Sequence, residues 1–171
     1  MMRKGGKMKA DAIVYTSKTG FTERYALLLA EKTGLPVYTL KKSGILPKTA
    51  RVIYLGWIMA SHVSGYERAA GSFILSAVCG VGLGETGAKK EEIRAASKIP
   101  DNIPLFTLKG GYCAAKQSGI NKLIMKGLIK GLSGKENRTP DEEEMLRLIT
   151  NDGDYVSEDN LSEIISAFER E

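Results

Sequence analysis

Ser17-Lys18-Thr19-Gly20-Phe21-Thr22 places three hydroxyls and one glycine in six residues, and that composition suits the binding of a phosphate. Amides at a helix start have no intrahelical partner, the helix dipole favours an anion there, and hydroxyls can donate to terminal phosphate oxygens. Gly20 lets the backbone approach closely. The same residues also suit a plain turn and helix cap. A Walker loop would require GxxxxGK[ST], which is absent, and a dinucleotide loop would fill this segment with glycines. A second glycine-bearing stretch, Gly82-Leu83-Gly84-Glu85-Thr86-Gly87, fits G-x-G-x-x-G, with Asp101 nineteen residues beyond Gly82. That fingerprint belongs after the first strand of its unit, and its acid should close the next strand; neither condition is met.

Other chemistries are bounded by what the chain holds. His62 is the single histidine, so a Ser/His/Asp triad or a histidine-bearing zinc set would have to be built on it. Cys79 and Cys113 lie 34 residues apart with no second metal-ligating partner nearby, and two reduced thiols are expected. No apolar run approaches the ~20 residues of a membrane span, and the opening MMRKGGKMKAD lacks the apolar stretch of a signal peptide. A cytoplasmic protein is the expectation.

The elements that must position the loop can be read from apolar runs. Ala12–Thr16, Val37–Leu40, Arg51–Gly56, Phe73–Cys79 and Pro104–Leu108 read as five strands. They are continuous rather than alternating, as in strands covered on both faces, and helical segments separate most of them. Thr22–Thr33 is the first helix, stopped by Gly34 and Pro36. Lys41–Ala50 holds Gly44 and Pro47 and reads as a turn in place of a helix. The fold class is α/β, a doubly wound parallel sheet. Ser118–Ser133, Pro140–Thr150 and Ser157–Glu169 are predicted helices, and Thr139-Pro140-Asp141-Glu142 is a capping-box start.

At this point the [ST]-x-T-G-x-T loop after a first strand resembles the FMN-phosphate loop of flavodoxins. The resemblance covers about residues 12–133 and implies a five-stranded sheet in the order 2-1-3-4-5, with FMN beside the first and third strands. It also implies two loops around the flavin ring. On this sequence they are Gly56-Trp57-Ile58-Met59-Ala60-Ser61 and Gly80-Val81-Gly82-Leu83-Gly84. Trp57 either stacks on the ring or serves as a core-edge residue. The second loop lacks the aromatic that many flavodoxins carry, and Tyr112 is a substitute. Cofactor contacts are therefore expected from Ser17, Lys18, Thr19, Gly20, Phe21 and Thr22, from Gly56, Trp57, Ile58 and Met59, and from Gly80, Val81, Gly82 and Leu83. No side chain is nominated as a general acid or base, and no metal is expected.

The charge is divided. Residues 1–139 carry 23 Lys/Arg against 9 Asp/Glu, and residues 140–171 carry 2 against 11, giving +14 followed by −9 within a net +5. One domain spans 1–171, with a core over about 10–133 and an acidic helical tail over about 139–171. Lys18, Lys109 and Lys116 are expected near the cofactor, where positive charge would raise its potential. In Ser118–Ser133, Ile120, Leu123, Ile124, Leu128 and Ile129 form an apolar face beside Lys122, Lys126 and Lys130. Its position suggests the last helix of the sheet, and its lysines suggest an anionic membrane surface.

The segment Lys122–Lys126 (KLIMK) with the polar Lys135-Glu136-Asn137-Arg138-Thr139 is similar to the region after the fifth strand in menaquinone-dependent protoporphyrinogen oxidases, a branch of flavodoxin-like proteins. That resemblance implies electrons passing from a reduced tetrapyrrole through FMN to a membrane quinone, with peripheral attachment to the inner face of the membrane. Three functions follow as expectations: an FMN-dependent redox protein with a protein or quinone partner, the quinone-linked porphyrinogen dehydrogenase, or a cofactor-free binding module. Nucleic acid is not an expected partner, since only 7% of residues are aromatic and no basic cluster interleaves with them.

Overall fold

The computed structural model describes residues 7–168. Its centre is a parallel sheet of β1 (Ala12–Thr16), β2 (Val37–Thr39), β3 (Arg51–Met59), β5 (Ile74–Gly82) and β6 (Leu105–Lys109), with the short β4 (His62–Val63) antiparallel on the end of β3. The order β2-β1-β3-β5-β6 is the 2-1-3-4-5 arrangement of the flavodoxin-like doubly wound fold. Burial explains why these segments became strands. Ala12, Ile13 and Val14 are fully buried, as are Val52 to Leu55, and neighbouring side chains enter opposite cores.

Helices cover both faces. Ile13, Tyr15, Ile53, Leu55, Cys79, Phe106 and Leu108 pack against Tyr25, Ala26 and Leu29 of α1 (Phe21–Thr33). On the other face, Val14, Val52, Tyr54 and Val78 meet Tyr66 and Ala69 of α2 (Tyr66–Ser72) and Ile93 of α3 (Lys90–Ser97). The expected turn between β2 and β3 is a 3-10 segment, Leu40–Ile45, opened by Thr39, whose hydroxyl accepts from the Lys42 amide.

The region after β6 departs from expectation. α4 (Gly119–Ser133) is not the last helix of the sheet. Its buried Met125 joins Tyr112 and Ile149 in a separate small core completed by Ile129, Leu132 and Met145, and its helical partner is α5 (Pro140–Thr150). These two helices form a hairpin raised on a two-stranded ribbon of β7 (Gly111–Tyr112) and β8 (Gly153–Asp154). The sheet is closed instead by the end of the chain. A 3-10 turn, Glu158–Leu161, leads into α6 (Ser162–Ala167), and Leu161 and Ile164 lie in the α1 face of the core. Amphipathicity alone cannot distinguish two candidates for one covering position. The closing segment is tied down by Asn160, whose side-chain amide donates to the Tyr25 hydroxyl (2.7 Å) and the Tyr155 carbonyl (3.0 Å), while Tyr25 donates to the Lys109 carbonyl.

The last predicted helix, Ser157–Glu169, is accordingly shorter and broken. It starts as 3-10 and ends where Phe168 turns extended to bridge Met8; Glu169 lies outside the described residues. The α5 capping box forms as predicted. The Thr139 hydroxyl accepts from the Glu142 amide, and the Glu142 carboxylate accepts from the Thr139 amide.

Candidate functional site

β1 and β3 are neighbours whose following connections leave on opposite faces, and a doubly wound sheet opens its ligand crevice at such a switch point. There a cavity of about 550 Å³ lies over the C-terminal strand ends, within the range of small-molecule and cofactor sites.

One end is the hydroxyl-rich loop. Gly20 adopts φ 97°, a conformation that L-residues avoid, and this bends the chain from β1 into α1. Its amide donates to the Ser17 hydroxyl at 3.2 Å. No side chain caps α1, so the amides of its first turn remain available to a ligand. Lys18, Thr19, Phe21 and Thr22 line the cavity; Ser17 and Gly20 shape the turn without lining it. Lys116 adds charge from across the site by donating to the Thr19 carbonyl at 3.3 Å.

The middle is formed by β3 and β5. Trp57, Ile58 and Met59 line it, but the expected loop of Gly56–Ser61 is the last part of β3 and a hairpin turn into β4. Gly56 lies within the sheet, where a β-carbon would strike the Ser64 carbonyl. Ala60 and Ser61 form the hairpin tip at φ 48° and 64°, a left-handed pair made without glycine. Neighbours hold it: Ser61 donates to Glu92 at 2.5 Å, and the Ser97 hydroxyl accepts from the Val63 amide at 2.9 Å. The Lys18 ammonium stands 5.6 Å from the Trp57 ring centroid, a cation–π contact on the ring expected to stack on a ligand.

The loop after β5 likewise begins one turn later than expected. β5 runs to Gly82, and Gly80 is a packing residue whose β-carbon would approach Ile58 Cδ1 to 2.8 Å. Val81, Gly82 and Leu83 line the cavity and Gly80 does not. The rest of the G-x-G-x-x-G stretch is tied along β6: the Thr86 hydroxyl accepts from the Lys109 amide (3.0 Å), and Gly87 donates to the Thr107 carbonyl (3.0 Å). α3 starts only at Lys90, so the last glycine of the motif is not at the helix–strand contact a dinucleotide fold requires.

The far wall is contributed by the hairpin of α4 and α5, which the sequence had not placed at the site. Tyr112 lines the cavity, as do Asn121, Ile124, Met125 and Leu128 of α4 and Met145 of α5. Asn121 is buried, and its amide makes no hydrogen bond to another described residue, so it and Gln117 are polar groups available to a ligand. The four-residue spacing of Asn121 and Met125 in the predicted helix was a visible signal for a shared face. Met145 had none, because its approach depends on how the two helices fold back.

One expected contributor, Lys109, is elsewhere. Lys109 is paired with Glu85 at 2.5 Å and its ammonium covers the Tyr155 ring at 4.3 Å, so the cations that line the cavity are Lys18 and Lys89, with Lys116 beside it at the Thr19 carbonyl. His62 is exposed on β4 and does not line the cavity. Of the two thiols, Cys79 is fully buried, which pushes its pKa up and keeps it neutral, while Cys113 is partly exposed beside the ribbon. Among the described residues, no cluster of His, Cys, Asp or Glu is arranged for a metal ion, and no helix is long and apolar enough to cross a membrane.

No protein-family model matches the chain, and no curated protein is significantly similar to it. Among solved structures it is similar to a chain from Bacteroides eggerthii, provisionally described as a flavoprotein. The identity is 13%, the match covers 74% of this chain and 100% of that one, and the TM-score is 0.39, too low to bear on function. The fold assignment therefore rests on the strand order and the two covered faces.

Proposed function

We propose that this is an FMN-dependent redox protein of flavodoxin-like fold. One observation carries the reading: a single cavity at the β1/β3 switch point runs from an uncapped helix start with Thr19 and Thr22 to a wall of Trp57, Met59, Leu83 and Tyr112. A phosphate suits one end and a flat aromatic ring the other. Gly20 supports the fit, because its positive φ bends the chain into α1, whose first residues Phe21 and Thr22 line the cavity.

In this reading FMN supplies the redox chemistry. The chain's own residues bind and orient. The α1 amides and the Thr19 hydroxyl hold the phosphate, Lys18 and Lys116 favour negative charge on what lies between them, and the apolar wall excludes water. The direct check is purification followed by release and chromatography of any bound flavin. Near one FMN per chain, or stoichiometric uptake of added FMN by apoprotein, supports the reading; colourless protein that ignores added FMN favours the cofactor-free binding module.

A second reading has its own observation. The α4–α5 wall, with Ile124, Met125, Leu128 and Met145, gives the cavity an apolar side that could take a flat organic substrate next to the cofactor. Quinone-linked oxidation of a porphyrinogen is the candidate of that kind. Reduction of a menaquinone analogue by protoporphyrinogen IX, faster than with unrelated hydride donors, would support it, and equal rates with all donors would contradict it.

A further inference from the structure

Exposed large apolar side chains are concentrated on one element. Leu27, Ile45 and Ile74 are scattered singly on other segments, whereas α4 alone exposes Ile120 (71%), Leu123 (69%), Ile124 (47%) and Leu128 (39%). At 100° per residue these four fall in one sector of the helix, with Gly127 and Gly131 between them; the opposite side, with Met125, Ile129 and Leu132, packs on α5. Lys122, Lys126 and Lys130 occupy the flank next to the exposed apolar sector. All three are exposed, and none makes an ion pair among the described residues.

Three of the acidic neighbours are committed elsewhere, and Glu136 and Asp141 make no ion pair with a described residue, the α4 lysines included. On α5 and the turn before it, Glu142 pairs with Lys135 (2.7 Å), Glu143 with Arg138 (2.7 Å) and Glu144 with Arg147 (2.5 Å). The α4 lysines therefore keep their field, although acids stand one helix away.

We propose that α4 docks on an anionic lipid bilayer, with Ile120, Leu123 and Ile124 entering the acyl boundary and Lys122, Lys126 and Lys130 meeting headgroup phosphates. Charge decides the occupant. A second copy of this chain would bring three more unpaired lysines to the same surface, whereas an anionic bilayer neutralises them while burying the apolar sector. The helix is about 22 Å long and lies on the outside of the molecule, as an in-plane helix must. Ile124 and Leu128 also line the cavity, so the docking surface and the cavity wall meet along one edge of the helix. This inference does not depend on which ligand the cavity holds.

The test is flotation of the full-length protein with vesicles of phosphatidylcholine containing one-third phosphatidylglycerol, compared with phosphatidylcholine alone, at low and high salt. The wild type is expected to float with the mixed vesicles at low salt and to be released by high salt. Each lysine is worth about fivefold, so the combined Lys122→Gln, Lys126→Gln and Lys130→Gln variant should bind about 100-fold more weakly. Ile120→Gln with Leu123→Gln should lose binding by 10-fold or more. These residues are exposed, so all variants should keep the wild-type circular dichroism and melting temperature. A wild type that stays with neither vesicle, or variants that float as well as it does, overturns the proposal. So does light scattering that shows a dimer dispersed by Ile120→Gln with Leu123→Gln, which would make the stripe a self-association surface.

Discussion

Gly20 and the Ala60–Ser61 pair show two ways in which single residues serve the site. Gly20 takes a positive φ without steric cost, and a β-carbon there would meet only the distant Lys116 ammonium, at 3.8 Å. Gly20→Ala should therefore act through backbone strain of about 1–2 kcal/mol, felt as a distorted α1 start. Thr19→Val would remove one donor to a phosphate, at ~1.5–3 kcal/mol for a charge-assisted hydrogen bond. Together they should weaken FMN binding at least 10-fold in a fluorescence titration; unchanged affinity would place the phosphate elsewhere. Ala60 is the reverse case, a residue with a β-carbon held at φ 48° in a two-residue turn that favours glycine. Ala60→Gly is expected to raise unfolding free energy by about 1 kcal/mol in urea titration, and a loss of stability would mean that the strain has been misread.

At the scale of elements, continuous apolar runs made the sheet legible, and its order came from the resemblance of one loop. The first strand and the capped helix at Pro140–Thr150 match the sequence reading to the residue, because Thr16 and Thr139 sit at sharp local signals. β3 and β5 extend three residues further than read. Gly56 and Gly80 resemble strand ends in sequence, yet in the structure they are glycines because the β3–β4 hairpin crosses them closely. The roles of α4 and α6 were not legible, since both carry an apolar face and only long-range contacts assign one to the sheet. A pair of substitutions measures that assignment. Leu161→Ala, in the sheet core, should cost about 2–5 kcal/mol of global stability, whereas Leu123→Ala, on the exposed stripe of α4, should stay within about 0.5 kcal/mol. Comparable losses would contradict the division of labour between the two helices.

Over the whole molecule, the +14 and −9 halves are brought together rather than held apart. Arg24 pairs with Asp154 (2.5 Å), Lys32 with Glu158 (2.5 Å) and Lys90 with Glu163 (3.1 Å), so the acidic C-terminal segment lies against the basic body. Each pair has an exposed carboxylate and is worth at most about 1 kcal/mol, less in salt. Lys18 at the cavity, Lys116 beside it and the lysines of α4 are among the cations that make no ion pair with a described residue. The alkaline limit is set by tyrosines. Burial, aided by its hydrogen bond to Glu23, pushes Tyr15 up to about 12, and burial pushes Tyr54 to about 12 against the favourable hydrogen bond with Thr16. Their folded values exceed the ordinary 10.0, so the neutral forms stabilise the fold fully below pH 10 and that contribution is lost as pH rises towards 12. Urea midpoints should be flat just below pH 10 and fall above it; a midpoint that rises there would contradict the burial of these hydroxyls.

In the proposed function one cavity holds a phosphate at the α1 start and a ring against Trp57, Leu83 and Tyr112. Titration of apoprotein with FMN and, in parallel, with riboflavin separates the two ends. FMN should bind at one per chain and at least 100-fold more tightly than riboflavin, as expected if the phosphate gains two or more charge-assisted hydrogen bonds. Equal affinity for the two, or no binding of either, would overturn the proposed function.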